Sequence, residues 1–175
     1  MPGMAVADDR DSEFSSYMAA RQPSLLRTAY LLTGDRHTAE DLVQTALAKL
    51  YLSWDKVQRQ ESVDGYVRRI LVNENNSMWR RPWKKRETTT SELPEQAAPA
   101  AHGGRDDALW ELVQTLPRKQ RAAVVLRYYE ELSEAETAEV LGVSVGTVKS
   151  QTSRALAALR SRAETLAPSA SQEER

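Results

Sequence analysis

The chain has 175 residues, a formal net charge of −1, no cysteine and few aromatic side chains. That length suits one domain of average size or two small ones. The missing cysteines exclude disulfides and thiolate metal sites and fit a reducing cytoplasm. No apolar run approaches the ~20 residues that span a bilayer, so membrane insertion is not expected, and the polar, acidic start from Met1 to Glu13 is unlike a secretory signal.

The predicted elements are all helices, and the expected fold class is all-α, in two small helical domains. The first helix is expected over about 12–32, with Phe14, Tyr17, Met18, Leu25, Leu26, Ala29, Tyr30 and Leu32 on a broad apolar side. Pro23 predicts a break or a new helix start near its middle, and Thr33-Gly34-Asp35 predicts its end. A second helix is expected over about 38–54, with Leu42, Val43, Ala46, Leu47, Leu50 and Trp54 on one stripe and Glu40 and Asp41 in the first turn, where the helix dipole favours them. A third is expected over about 62–81, burying Val63, Tyr66, Val67, Ile70, Leu71 and Met78 and stopping at Pro82.

After Lys84-Lys85-Arg86 the periodicity disappears. The stretch 87–106 holds a run of threonines, several alanines, prolines and Gly103-Gly104, and is expected to be a flexible linker between domains at about 12–86 and 107–166. Helices resume with Leu109, Trp110, Leu112, Val113 and Leu116, and Pro117 suits the first turn of the next helix. The end after Leu166 reads as frayed.

The stretch 132–150 carries the most information. Ser133 followed by Glu136 is a capping-box pattern. Gly142 stands where a left-handed residue ends a helix, and Ser144 can cap the next one. Val145, Val148, Thr152, Ala155, Leu156 and Leu159 then recur at helical spacing. Two short helices across a tight turn form a helix-turn-helix, whose second helix enters the DNA major groove. The expected contact face is Ser144, Thr147, Lys149, Ser150, Ser153 and Arg154: small hydroxyls permit close approach, and cations reach phosphates or guanine edges. Between Thr147 and Arg162 there are four basic residues and no acidic one.

A second basic constellation lies upstream. Arg68, Arg69, Arg80, Arg81, Lys84, Lys85 and Arg86 interleave with Asn73, Asn75, Asn76, Ser77, Trp79 and Trp83. A positive groove with aromatics holds single strands, where unpaired bases stack, and amides can read a base edge. A net charge of −1 is unusual for a free-standing DNA binder, since affinity for DNA rests on neutralising phosphates. Either the charges are segregated or another protein supplies affinity.

With these motifs in place the chain resembles the extracytoplasmic-function, or group IV, sigma factors of bacterial RNA polymerase, closest to their actinobacterial SigE-like type. The resemblance spans about Phe14 to Arg162. Ala39-Glu40-Asp41-Leu42-Val43-Gln44 is similar to the family's motif for docking on polymerase. Gly65-Tyr66-Val67-Arg68-Arg69-Ile70-Leu71-Val72-Asn73, continuing to Trp79-Arg80-Arg81, is similar to the segment that melts and reads the −10 element. Leu116-Pro117-Arg118-Lys119-Gln120-Arg121 and Gly146-Thr147-Val148-Lys149-Ser150 are similar to the domain that reads the −35 element. Gln151-Thr152 stands where many members have Arg and Leu, and Thr45 where an acid is common.

The resemblance implies a fold of sigma region 2 and region 4 and a role in promoter-specific initiation. It implies as partners polymerase core (β′ clamp helices and β flap), promoter DNA and an anti-sigma factor. It further implies core docking through Asp41, Leu42 and Gln44, and −10 contact through Asn73, Asn76, Ser77, Trp79, Arg80 and Arg81. The 23 residues from Lys84 to Asp106 reach about 75 Å when extended, and two duplex turns are about 70 Å, so both elements can be engaged at once. The rival reading is a helix-turn-helix regulator that binds promoter DNA without replacing the housekeeping sigma factor. Its N-terminal half would be a sensor or receiver, and residues 12–86 show no strand pattern. An enzyme is not expected: His37 and His102 are far apart, no phosphate loop or metal-ligand spacing occurs, and no cofactor is implied.

Overall fold

In a computed structural model of the chain, residues 2–60, 62–80 and 105–167 are described. The chain divides into two structural units, one within Met1–Glu92 and one within Leu93–Arg175. Among the described residues every regular element is helical.

The N-terminal unit holds α1 (Pro2–Thr33), α2 (Arg36–Leu52), α3 (Trp54–Gln60) and α4 (Val63–Arg80). Contrary to the expected break, α1 runs through Pro23. A proline inside a helix removes a hydrogen bond and costs about 3 kcal/mol. Here Phe14 lies before it and Leu25, Ala29 and Leu32 after it, all buried. Packing on both sides keeps the segment straight enough to continue, while Pro23 itself is exposed. Helix α1 also begins ten residues earlier than expected, and its third turn is tied to α2 and α3. Arg10 donates to Asp55 at 2.9 Å, and the Tyr51 hydroxyl donates to Asp11 at 2.8 Å.

Gly34 ends α1 with φ 73°, a left-handed conformation. Asp35 then caps α2, accepting from the Thr38 amide at 2.8 Å and the Thr38 hydroxyl at 2.6 Å. Because α2 starts at Arg36, Glu40 and Asp41 sit past the first turn, where the dipole effect expected for them has faded. The chain breaks at Ser53, so Trp54 belongs to α3 rather than to α2. Trp54 and Val57 fix α3 to the core. Phe14 meets Trp54 edge-on with ring centroids 5.3 Å apart.

Helix α2 packs against α1 and α4. Its buried stripe of Ala39, Leu42, Val43, Ala46, Leu47 and Leu50 meets Leu25, Ala29, Val67 and Leu71. On α4 the expected inward Met78 is exposed, and Val72 and Asn75 are buried instead. Polar links close the edges: Tyr17 donates to Asp64 at 2.8 Å, Arg21 pairs with the same carboxylate at 2.9 Å, and Lys49 pairs with Glu74.

The C-terminal unit holds α5 (Arg105–Gln114), α6 (Arg118–Val124), α7 (Glu134–Leu141) and α8 (Val145–Leu166). Helix α5 begins two residues inside the stretch expected to be linker. The rest of that linker, with Arg81, Trp83, Lys84, Lys85 and Arg86, lies outside the described residues, as does the end after Ala167. Leu116, Val124 and Ala155 form a small core with Ala158 and Leu159 against it. Helix α6 runs on as a π-helical turn over Val125–Tyr129, closed by Glu130 N–H donating to the Val125 carbonyl at 3.0 Å. Arg121 donates to the Gln114 and Leu116 carbonyls at 2.8 and 3.0 Å and so satisfies the end of α5.

Candidate nucleic-acid interface

The turn between α7 and α8 is built by the residues that the sequence singles out. The Ser133 hydroxyl accepts from the Glu136 amide at 3.1 Å, and the Glu136 carboxylate accepts from the Ser133 amide at 2.7 Å. This reciprocal pair satisfies two orphan donors and fixes where α7 starts. Gly142 ends α7 at φ 66°, a backbone state that costs other L-residues about 1–2 kcal/mol. Ser144 caps α8 by accepting from the Thr147 amide at 3.1 Å, and its hydroxyl also lies 2.9 Å from the Thr147 hydroxyl.

Behind this turn Ala138, Val140, Val148 and Ala155 are buried, and they orient α8. The inward expectation for Val145 is not met: at the first position of α8 it stays exposed. The remaining surface of α8 presents Thr147, Lys149, Ser153 and Arg154 to solvent, with Ser150 and Gln151 half-buried. Ser144 is exposed too, but its acceptor is committed to the cap, so it shapes the turn as much as it offers a contact. Thr152 is buried and its hydroxyl has no hydrogen-bond partner, as is also true of Thr137 on α7. Lys149 lies 3.7 Å from the Glu134 carboxylate.

On α4, Asn73 and Arg80 are exposed, and Asn76 and Ser77 are half-buried. Trp79 lies on the last turn of α4 with its side chain outside the described set, and Arg81 lies outside the described residues altogether. Asn75, only 2% exposed, carries a buried amide oxygen without a partner. Its spacing from Val67 and Leu71 is the sequence signal that places it on the inward stripe, although its side chain is polar.

On α2, Asp41 and Gln44 are exposed on one face. Leu42 is corrected here: at 1% exposed it belongs to the core and holds α2 in place. The reason is spacing, since Leu42 shares the stripe of Ala39, Ala46 and Leu50, while Asp41 and Gln44 fall on the opposite side.

Both structural units match known proteins. The family models for Sigma-70 region 2 and Sigma-70 region 4 match residues 8–85 and 106–159. The RNA polymerase sigma-E factor of Streptomyces coelicolor is 43% identical over 150 residues, covering 85% of this chain and 84% of that one. The sigma-E factor of Streptomyces avermitilis is 41% identical over 150 residues, covering 85% and 83%. The chain belongs to the extracytoplasmic-function sigma factors.

The fold agrees with solved members. The sigma factor RpoE of Bartonella quintana, crystallised with the anti-sigma factor NepR, is 26% identical, with a TM-score of 0.73 over 89% of this chain and 99% of that one. This sigma factor is a transcription-initiation protein whose two matched regions fall in its two structural units. A regulator built on a sensor or receiver is not favoured, because region 2 matches where the sensor would be. Among the described residues no helix is long and apolar enough to cross a membrane.

Proposed function

We propose that this sigma factor divides promoter recognition and polymerase docking among the residues just described. The N-terminal unit, assigned to 12–86, docks on the β′ clamp helices of core polymerase through Asp41 and Gln44. Asn73, Asn76, Ser77, Trp79, Arg80 and Arg81 capture an unstacked base of the −10 element and hold the melted state. Flipping a base costs a few kcal/mol, which stacking and a fitted pocket offset. The C-terminal unit, assigned to 107–166, reads the −35 element with Thr147, Lys149, Ser150, Ser153 and Arg154 in the major groove and meets the β flap. Residues 87–106 join the two. The protein works in the cytoplasm, catalyses no reaction itself and is restrained by an anti-sigma partner.

The observation that carries this reading is the capped turn at Gly142. It presents an acid-free, cation-bearing face of α8 to solvent while Val148 and Ala155 anchor the other side. The test reconstitutes holoenzyme from core polymerase and the full chain. Lys149→Ala with Arg154→Ala is expected to abolish upstream protection in footprinting while leaving core capture intact. Each lost phosphate contact lowers the salt slope of binding by about one. Asp41→Ala with Gln44→Ala is expected to lose core capture. Unchanged upstream protection in the α8 variant would sink the recognition-helix assignment.

A further inference from the structure

The contact between Glu134 and Lys149 is not explained by folding needs or by the promoter contacts above. Glu134 opens α7, the helix that stays outside the groove in the docking just proposed, and Lys149 lies in the second turn of α8, the helix that enters it. Their charged groups are 3.7 Å apart, and the lysine side chain is 65% exposed. The capping box fixes the backbone of Glu134's neighbours, and Val148 anchors the turn of α8 beside Lys149. The backbone positions of both residues are therefore set by fixed elements, within reach of each other. Glu136 is committed to the cap, and Glu134 is in ion-pair contact with Lys149.

An exposed pair of this kind adds little to stability, yet its lysine belongs to the face that must meet DNA. A phosphate or guanine edge competes with this carboxylate for the ammonium. We infer that Glu134 is a positioning residue that restrains DNA binding by α8, holding Lys149 in an intramolecular pair that competes with promoter contact. This inference rests on the α8 reading above.

The test uses holoenzyme with the full chain, a promoter fragment that it protects in footprinting, and an unrelated duplex of the same length. Glu134→Gln is expected to tighten binding to both about two- to fivefold at low salt, the range an exposed ion pair supplies. The gain should shrink as salt screens the pair. Lys149→Met is expected to weaken promoter binding, and adding Glu134→Gln to it is expected to change nothing further. An unchanged affinity in Glu134→Gln, or the same gain with and without Lys149, would overturn the inference. Promoter binding unaffected by Lys149→Met alone would instead overturn the α8 assignment on which it rests. Thermal unfolding of each variant separates these outcomes from loss of fold.

Discussion

The N-terminal unit and the C-terminal unit are both helical, but different forces hold their functional faces. In the first, a continuous core from Phe14 to Leu71 sets the faces. Helix α1 tolerates an internal proline there, and links such as Tyr17–Asp64 join residues far apart in sequence. In the second, Leu116, Val124, Leu126, Val148 and Ala155 are buried, and local devices add to that packing at the turn before α8: one capping box, one left-handed glycine and one serine cap. The second unit also carries imperfections. Glu131 has φ 56°, and α6 ends in a π turn. The Thr137 and Thr152 hydroxyls are buried without partners, as the Asn75 amide oxygen is in the first unit.

That contrast can be broken most directly in the core. Leu71 is fully buried among α1, α2 and α4 residues. Leu71→Ala is expected to cost about 2–5 kcal/mol. Hydrogen exchange measured residue by residue should show lost protection throughout the N-terminal unit. An effect confined to α4 would mean that this unit is no more cooperative than the other.

A smaller loss is expected from Ser133→Ala, about 1 kcal/mol for one helix cap, seen as faster exchange in α7 and at the start of α8. Protection unchanged at α8 would show that the cap does not set the recognition helix. A gain of about 0.5–1 kcal/mol is expected from Glu131→Gly, since a left-handed residue without a Cβ is unstrained. The measurement is the thermal midpoint of the C-terminal unit, and a lowered midpoint would contradict it.

The smallest effect concerns pH. The Thr38 hydroxyl holds the Asp35 carboxyl below its usual range; burial, the next-largest effect, opposes it, and the Thr38 amide and His37 lower it further. A carboxylate with a depressed folded pKa stabilises the fold above its unfolded value of about 4 and loses that contribution as pH falls through the folded value. Asp35→Asn keeps a capping side chain. It is expected to lower stability slightly near neutrality, where the ionised carboxylate contributes, and to flatten the acid side of the N-terminal unit's pH profile. A profile as steep as that of the parent would assign the acid sensitivity elsewhere.

Much of this was legible in the residues because it is local. Ser133 with Glu136, Gly142 and Ser144 each act on backbone groups within a few positions, so spacing alone predicts them. The exposed pair Asp41 and Gln44 follows from the same helical arithmetic, which also places Leu42 inward, although a docking motif read as a block hides that. What was not legible depends on partners distant in sequence. The continuity of α1 through Pro23 needs the core on both sides of it. The contacts of Arg10 and Asp11 near the start of α1 need Asp55 and Tyr51. Exposure of Met78 depends on where α4 meets its neighbours.

By itself, then, the sequence determined the helical class, the two-part division, the helix-turn-helix and the family. These follow from periodicity, capping chemistry and motif spacing, all short-range. Only the tertiary structure decided which side of each helix faces solvent at its ambiguous positions, and that Lys149 meets Glu134. That pairing joins residues on separate helices, and it exists because the turn at Gly142 packs α8 against α7.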